Sequence, residues 1–76
     1  MKFEDNVKRS FATVLKDKRR DAGLTQEQLG KAAGIPLRTM NRLEAGEQKP
    51  GLVSIFAISE ALGIQASQFV AMMEDA

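Results

Sequence analysis

The chain has 76 residues, of which 43% are hydrophobic and 28% are charged, and its formal net charge is +1. A chain of this length has room for one small domain, residues 1–76, which buries about 60% of the surface of its unfolded state. The absence of cysteine and histidine excludes disulfides, the usual zinc ligands and catalysis by either side chain. We therefore do not expect an enzyme, and we expect neither a cofactor nor a small-molecule ligand.

Charge and hydropathy indicate where a partner would bind. No apolar run resembles a signal peptide or approaches the roughly 20 residues that cross a bilayer, so we expect a cytoplasmic protein without membrane contact. Residues 1–50 carry all 11 basic groups, whereas residues 51–76 carry only acidic ones. A polyanion such as nucleic acid would therefore contact the N-terminal and central parts of the chain.

The spacing of apolar residues predicts five helices, at about 5–21, 26–33, 37–45, 52–62 and 66–74. Asp5 is the candidate N-cap of the first helix. The buried stripe of that helix is expected to contain Val7, Phe11, Val14, Leu15 and Lys18. The fourth helix is expected to bury Leu52, Ile55, Phe56, Ser59 and Leu62. Phe56 is expected in the core rather than stacked on a base, because no Tyr or Trp accompanies it.

The second and third helices and the corner between them are the most informative part of the sequence. Thr25 begins a Thr-x-x-Gln capping box, and Gly34 can adopt the positive φ that ends a helix. Gly30, inside the second helix, costs about 1 kcal/mol relative to alanine, which indicates a close approach by the third helix. Pro36 lies where a first helical turn tolerates a missing N–H.

The third helix has two unlike faces. At about 100° per residue, Met40 and Leu43 lie on one side, where they can pack. The other side carries Leu37, Arg38, Asn41, Arg42 and Ala45. Arg38 and Arg42 are candidates for base contacts, because an α-helix fits the major groove and the forked donors of arginine match guanine O6 and N7.

Residues 26–46, with Gly30, Gly34, Met40 and Leu43 at these spacings, resemble the helix-turn-helix of the Cro/cI-type (XRE) DNA-binding family. The segments LTQEQLGKAAGI, NRLEAGEQKP and ALGI extend the resemblance to about residues 11–73. It implies an all-α, compact five-helix, lambda-repressor-like domain that binds a (pseudo)palindromic double-stranded DNA operator as a homodimer. The small size is similar to phage Cro-type repressors and to restriction-modification controller proteins, and the sequence does not choose between them.

The resemblance assigns DNA contacts to two groups of residues. The base-contacting group is Leu37, Arg38, Asn41 and Arg42, and the phosphate-contacting group is Thr25, Gln26, Gln48 and Lys49. Asn41 either reads a base or binds phosphate, and Thr25 is a helix cap that could also donate to phosphate. In relatives, the residue at the position of Gln26 often braces a glutamine at the first reading position. Here that position is Leu37, which either contacts a thymine methyl group or is only partly exposed.

Two further predictions concern the scaffold of the domain. The resemblance implies an ion pair between Arg19, late in the first helix, and Glu44, late in the third, which we favour over two unrelated surface charges. The fifth helix is apolar over a wide arc and lies in the segment without basic residues, so we expect it at the dimer interface. The expected interface residues are Ile64, Phe69, Val70, Met72 and Met73, although Phe69 could instead close the core of the monomer.

Two other functions remain open on the sequence. The chain could be an antitoxin-like protein whose main role is to bind a partner protein, or a helix-turn-helix fold used only as a scaffold. Arginines on the open face of the third helix argue against the scaffold.

Overall fold

The computed structural model describes residues 2–76. Over those residues it contains no strand and five α-helices, namely α1 (Lys2–Asp21), α2 (Gln26–Ala33), α3 (Leu37–Glu44), α4 (Leu52–Leu62) and α5 (Ala66–Asp75). The predicted all-α, five-helix class is confirmed. Within residues 2–76, no single helix is long and apolar enough to cross a bilayer; α4 and α5 meet that test only as a pair, which is bent by 104°.

The first helix starts earlier than predicted. Helix α1 begins at Lys2, so Asp5 is not its N-cap and lies with Glu4 in its first turn. Acidic side chains in a first turn are stabilised by the positive end of the helix dipole, which accounts for the helical start without a cap at Asp5. At the other ends the differences are smaller, because α3 stops at Glu44 with Ala45 as its C-cap and α5 continues to Asp75.

The helices pack as a closed ring in which α3 contacts α1 and α2, α4 contacts α2 and α5, and α5 also contacts α1. Every helix contributes to the one core inside this ring. Its buried members are Phe11, Val14, Leu15, Leu29, Met40, Leu43, Ile58 and Phe69. Because α3 has neighbours on one side only, its opposite side is left open to solvent.

The start of α2 is fixed by a reciprocal cap. The hydroxyl oxygen of Thr25 accepts the backbone N–H of Gln28 at 3.0 Å, and Gln28 Oε1 accepts the backbone N–H of Thr25 at 2.9 Å. Helix α2 ends at Gly34, whose φ of 71° is left-handed. The predicted capping box and the glycine that ends the helix are therefore both confirmed.

The reason for Gly30 differs from the prediction. A Cβ on Gly30 would lie 2.6 Å from the carbonyl oxygen of Ile35, in the turn, and not against α3. That turn is held by the Ile35 N–H, which donates to the carbonyl oxygen of Gly30 at 2.8 Å. The missing side chain thus lets the corner fold back onto α2, and the corner in turn sets the direction of α3.

The predicted burial of α4 is wrong at Phe56. Its side chain is 59% exposed, and Leu52 is also exposed, whereas Ile58, which the predicted stripe omits, is fully buried. The buried side of α4 is rotated toward Ile58, with Ser59 beside it. Both residues face α2 and α5, and Phe56 is left on the outer surface.

The predicted interface role of Phe69 is also wrong. Phe69 is fully buried, and its ring centroid lies 5.3 Å from that of Phe11 in a tilted arrangement. Because α5 packs against both α1 and α4, it needs apolar residues over a wide arc. Met72 and Met73 are half-buried against the core for the same reason, while Val70 is 40% exposed.

We predict that Gly30→Ala lowers the free energy of unfolding by about 1–3 kcal/mol, because the new methyl group meets the backbone carbonyl of Ile35, a residue held in place by the bond from its N–H to the Gly30 carbonyl. Urea unfolding measures the change. The control is Gly51→Ser, since a Cβ at Gly51 meets no atom within 4 Å and serine is a preferred N-cap. Equal stability of the Gly30→Ala and wild-type chains would show that the corner relaxes freely.

Candidate nucleic-acid interface

The open side of α3 presents the residues predicted to contact bases. Leu37, Arg38, Asn41 and Arg42 are all exposed, whereas Met40 on the opposite side is fully buried. The segregation follows from helical spacing, because the apolar side chains face α1 and α2 and the polar ones are turned away. The structure therefore brings the four predicted base-contacting residues together on one exposed helix face.

The two arginines on this face are available to a ligand. Arg38 and Arg42 are one helical turn apart, and within residues 2–76 neither forms an ion pair. Each guanidinium therefore keeps its forked donors free, as bidentate contact with a guanine requires. Leu37 is 46% exposed at the start of the helix, where its apolar side chain can contact a thymine methyl group.

The last residue of α3, Glu44, is 4% exposed and is the centre of a hydrogen-bond network. Arg19 donates from Nε to Oε2 at 2.5 Å and from Nη2 to Oε1 at 3.0 Å. Its Nη1 donates to the carbonyl oxygen of Leu24 at 2.7 Å. Gln26 Nε2 donates to Glu44 Oε1 at 3.1 Å. The structure thus contains the Arg19–Glu44 pair and adds a third side chain to it.

The environment of Glu44 has opposing effects on its pKa. Burial by itself raises the pKa, but the hydrogen bonds from Arg19 and Gln26 and the charges of Arg19 and Lys16 together lower the pKa of Glu44 below its ordinary value of 4.5. The hydrogen bond to Glu44 raises the pKa of Arg19. The carboxylate is therefore ionised at neutral pH despite its burial.

The predicted phosphate-contacting residues divide into two places. Thr25 and Gln26 lie at the N-terminal end of α2, where Thr25 caps the helix and Gln26 donates to Glu44. Gln48 and Lys49 lie in the loop between α3 and α4. Gln26 therefore contacts the last residue of α3, and Gln48 and Lys49 lie in the loop that follows that helix.

Lys49 has a partner that the sequence did not indicate. Its Nζ lies 3.4 Å from Glu4 Oε2, and the two side chains are 67% and 52% exposed. An exposed pair of this kind contributes at most about 1 kcal/mol, so a phosphate can displace the carboxylate. Gly51 begins α4 without a side-chain cap, which leaves N–H groups free beside this loop.

The comparisons with known proteins match this arrangement. A family model described as helix-turn-helix, HTH_3, matches residues 15–69, which include α2, α3 and the Arg19–Glu44 pair. The chain belongs to this family. Its members are DNA-binding transcriptional regulators of the XRE type, so the family suggested by the sequence is confirmed.

Relatives and solved structures give the same result. An uncharacterized HTH-type transcriptional regulator of Methanothermobacter thermautotrophicus is 30% identical over 63 residues, which are 83% of this chain and 91% of that protein. The restriction-modification controller protein C.AhdI of Aeromonas hydrophila is 31% identical with a TM-score of 0.76, covering 86% of this chain and 96% of that chain. The clp gene regulator ClgR of Corynebacterium glutamicum has a TM-score of 0.85 at 19% identity, covering 91% and 73%, and this shows the shared fold.

Sequence reasoning missed two contacts in this region, Gln26 with Glu44 and Lys49 with Glu4. The partners are separated by 18 and 45 residues, and no local pattern indicates either contact. The contact between Gln26 and Glu44 had one possible signal in the sequence: Gln26 is a long polar side chain at the start of a helix, seven residues after Arg19 of the predicted ion pair. Within residues 2–76, no three acidic, cysteine or histidine side chains are grouped to hold a metal ion.

We predict that Arg19→Ala lowers the free energy of unfolding by up to about 3–5 kcal/mol, because Glu44 is left buried with too few donors. The double variant Arg19→Ala, Glu44→Ala should lose less than the sum of the two single variants in urea unfolding. The coupling should be present above pH 4.5 and should decline as pH falls through the lower pKa of folded Glu44.

The matched control is the pair of Lys18 and Asp21, which is 3.6 Å apart and more exposed. Its double-mutant cycle should give a coupling of about 0.5 kcal/mol or less. If the losses at Arg19 and Glu44 were additive at neutral pH, the two charges would not stabilise each other.

Proposed function

We propose that this chain is a transcriptional regulator, not an enzyme, which binds a (pseudo)palindromic operator in double-stranded DNA as a homodimer in the cytoplasm. The observation that carries the proposal is the open face of α3, where Arg38 and Arg42 are exposed and unpaired within residues 2–76. The buried network at Glu44 holds this helix against α1 and α2. A rigid helix with forked donors on its outer face is suited to read bases in the major groove.

The proposal gives the exposed residues distinct roles. Arg38 and Arg42 read base edges, Leu37 contacts a thymine methyl group, and Asn41 reads a base or binds phosphate. The charge distribution supports this orientation. Helix α3 and the loop after it carry basic residues, whereas residues 51–76 carry acidic groups and no basic one.

The flanking residues would position α3 in the groove by contacts with the sugar-phosphate backbone. Thr25 and Gln26 serve one strand, and Gln48 and Lys49 serve the other, with the uncapped start of α4 at Gly51 providing backbone N–H groups. Neutral donors of this kind fix the register of the helix, whereas the charge of Lys49 contributes to affinity through the release of counterions.

We predict that Arg38→Ala and Arg42→Ala each reduce the free energy of specific binding by about 1–3 kcal/mol and relax the preference at one base pair per half-site, since a bidentate contact is lost. Selection of bound sequences from random duplex DNA yields the operator, and fluorescence anisotropy on that operator and on its single-base variants gives the affinities. The same selection reports symmetry and half-site spacing.

Two variants serve as controls for the arginines. Arg20→Ala should leave binding unchanged, because Arg20 lines a groove that α1 shares with Met72 and Asp75 of α5. Lys49→Ala should weaken all sequences about equally and reduce the salt slope by about one. An arginine variant that kept full affinity and unchanged base preference would show that this residue does not read DNA.

An apolar surface on α4 and α5 supports a homodimer. We define the α4–α5 surface as Leu52, Val53, Phe56 and Val70, which are 70%, 82%, 59% and 40% exposed. Two shallow grooves meet there, since Phe56 and Ala66 line both, and Ile64 lies at the edge of one. Of the predicted interface residues, Val70 belongs to this surface and Ile64 lies at its edge, whereas Phe69 is buried and Met72 and Met73 pack against the core.

A two-fold axis at the α4–α5 surface leaves the exposed face of α3 free to bind DNA, because the main packing partners of α3 are α1 and α2. In a dimer of this motif the two recognition helices lie about 34–36 Å apart, one turn of the duplex. The absence of basic residues from positions 51–76 suits an interface that faces away from phosphates.

We predict that the double variant Phe56→Glu, Val70→Asp is folded and monomeric at concentrations at which the wild-type chain is dimeric, because two charges would be buried in the interface. Sedimentation equilibrium measures the state, and circular dichroism checks the fold. Ala22→Glu is the control, as Ala22 is exposed after the end of α1 and lines neither groove of the α4–α5 surface. A folded double variant that stayed dimeric would rule out this interface.

The same apolar surface would suit a different protein partner, which is the antitoxin-like alternative. A wild-type chain that sediments as a monomer and purifies from its native source with one stoichiometric second protein would favour that function. Loss of this second protein from the Phe56→Glu, Val70→Asp variant would then locate its binding site.

A further inference from the structure

The Glu44 carboxylate, described above as the partner of Arg19, also holds the side chain of Gln26. Gln26 is the first residue of α2, whereas Glu44 is the last residue of α3, and the two are joined by the 3.1 Å bond from Gln26 Nε2 to Glu44 Oε1. Leu37, at the start of α3, has no polar side-chain atom with which to hold Gln26. The contact therefore ties the start of the first motif helix to the end of the second.

The chemistry of the two groups fixes the orientation of the Gln26 amide. An ionised carboxylate only accepts hydrogen bonds, so the NH₂ end of the amide, and not its carbonyl oxygen, must face Glu44. One N–H is used by Glu44. The second N–H has no partner within residues 2–76, and it is a donor of the kind that phosphate accepts.

Glu44 itself is well placed to orient this amide before DNA arrives. Its side chain is 3% exposed, and Arg19 holds both of its oxygens. A free glutamine side chain loses up to about 2 kcal/mol of rotamer entropy when it is immobilised on a ligand. An amide that is already immobilised in the free protein avoids most of that loss.

We propose that Glu44 is a positioning residue for DNA binding, which turns the NH₂ end of Gln26 so that its second N–H donates to a backbone phosphate. The inference rests on the proposed function, because it explains the phosphate contact proposed there for Gln26. The bond from Gln26 to the buried Glu44 carboxylate would orient the amide for that contact. Arg19 keeps Glu44 ionised and in place, so the ion pair acts on DNA through Gln26 as well as through the position of α3.

A double-mutant cycle in DNA affinity tests the proposal with Gln26→Ala, Glu44→Gln and the combined variant. In the wild-type background, Gln26→Ala should weaken binding about tenfold for all sequences, with an unchanged salt slope because no cation is removed. In the Glu44→Gln background the same change should cost about twofold or less, because the substituted side chain keeps one acceptor oxygen, for which the guanidinium of Arg19 competes with Gln26. An equal loss in both backgrounds would overturn the proposal.

Gln28→Ala is the matched control. It removes a glutamine side chain two positions along the same helix, and that side chain bonds to the backbone of Thr25 and not to Glu44. Its effect on affinity should be the same in the wild-type and Glu44→Gln backgrounds. A coupling as large as that of Gln26 would show that Glu44→Gln disturbs α2 as a whole.

A measurement on the free wild-type protein keeps the proposal open to refutation even if Glu44→Gln does not fold. In ¹⁵N–¹H spectra of the Gln26 NH₂ group, identified by its loss in Gln26→Ala, the proton bonded to Glu44 should exchange with solvent much more slowly than the NH₂ protons of a solvent-exposed glutamine. Exchange as fast as that of an exposed glutamine would overturn the proposal. Failure of the wild-type chain to bind any duplex would instead refute the proposed function, and the positioning role with it.

Discussion

A buried carboxylate at the end of α3 sets the arrangement of the three N-terminal helices. Taking Glu44 out of water costs several kcal/mol unless charged and polar donors replace the lost hydration. Those donors come from α1 and α2, through Arg19 and Gln26. The carboxylate is satisfied only when all three helices are in place, so the network gives the domain one defined packing more than it adds net stability.

The corner between α2 and α3 works together with this network. Gly30 allows the carbonyl of Ile35 to approach α2, and Gly34 supplies the left-handed conformation that ends the helix. The turn fixes the start of α3, and Glu44 fixes its end. With both ends held, Met40 packs into the core on one side, and the arginines remain on the other side, at positions determined by the scaffold and not by their own contacts.

Local sequence signals predicted the helices well because the signals are themselves local. The Thr25 capping box, the glycine at position 34 and the 3.6-residue spacing of α3 act within a few residues, and each gives the observed structure. Phe56 was misplaced because α4 is apolar on nearly all sides, so its periodicity does not select a buried face. The buried face of α4 is determined by the helices that pack against it, α2 and α5, and that face contains Ile58 and not Phe56.

In the candidate site, too, the features set by local spacing could be predicted from the sequence, whereas the contacts between distant residues could not. The exposed face of α3 follows from helical spacing, so Arg38 and Arg42 could be placed on it without a structure. The contact between Gln26 and Glu44 spans 18 residues, and the resemblance to the family assigns each of them separately, one to phosphate and one to Arg19. Only the fold shows that the Glu44 carboxylate accepts hydrogen bonds from both Arg19 and Gln26.

In the proposed dimer, the outward faces of α3 and α4 would have different functions, DNA binding and contact between the two copies. In the ring of helices, α3 has α1 and α2 as neighbours, whereas α4 has α2 and α5. Exposed arginines lie on the outward face of α3, and exposed apolar side chains lie on that of α4. Contact between two copies at the α4 face would leave both copies of α3 free. Because α2 contacts both α3 and α4, the spacing of the two α3 helices in such a dimer would depend on how α2 packs within each monomer.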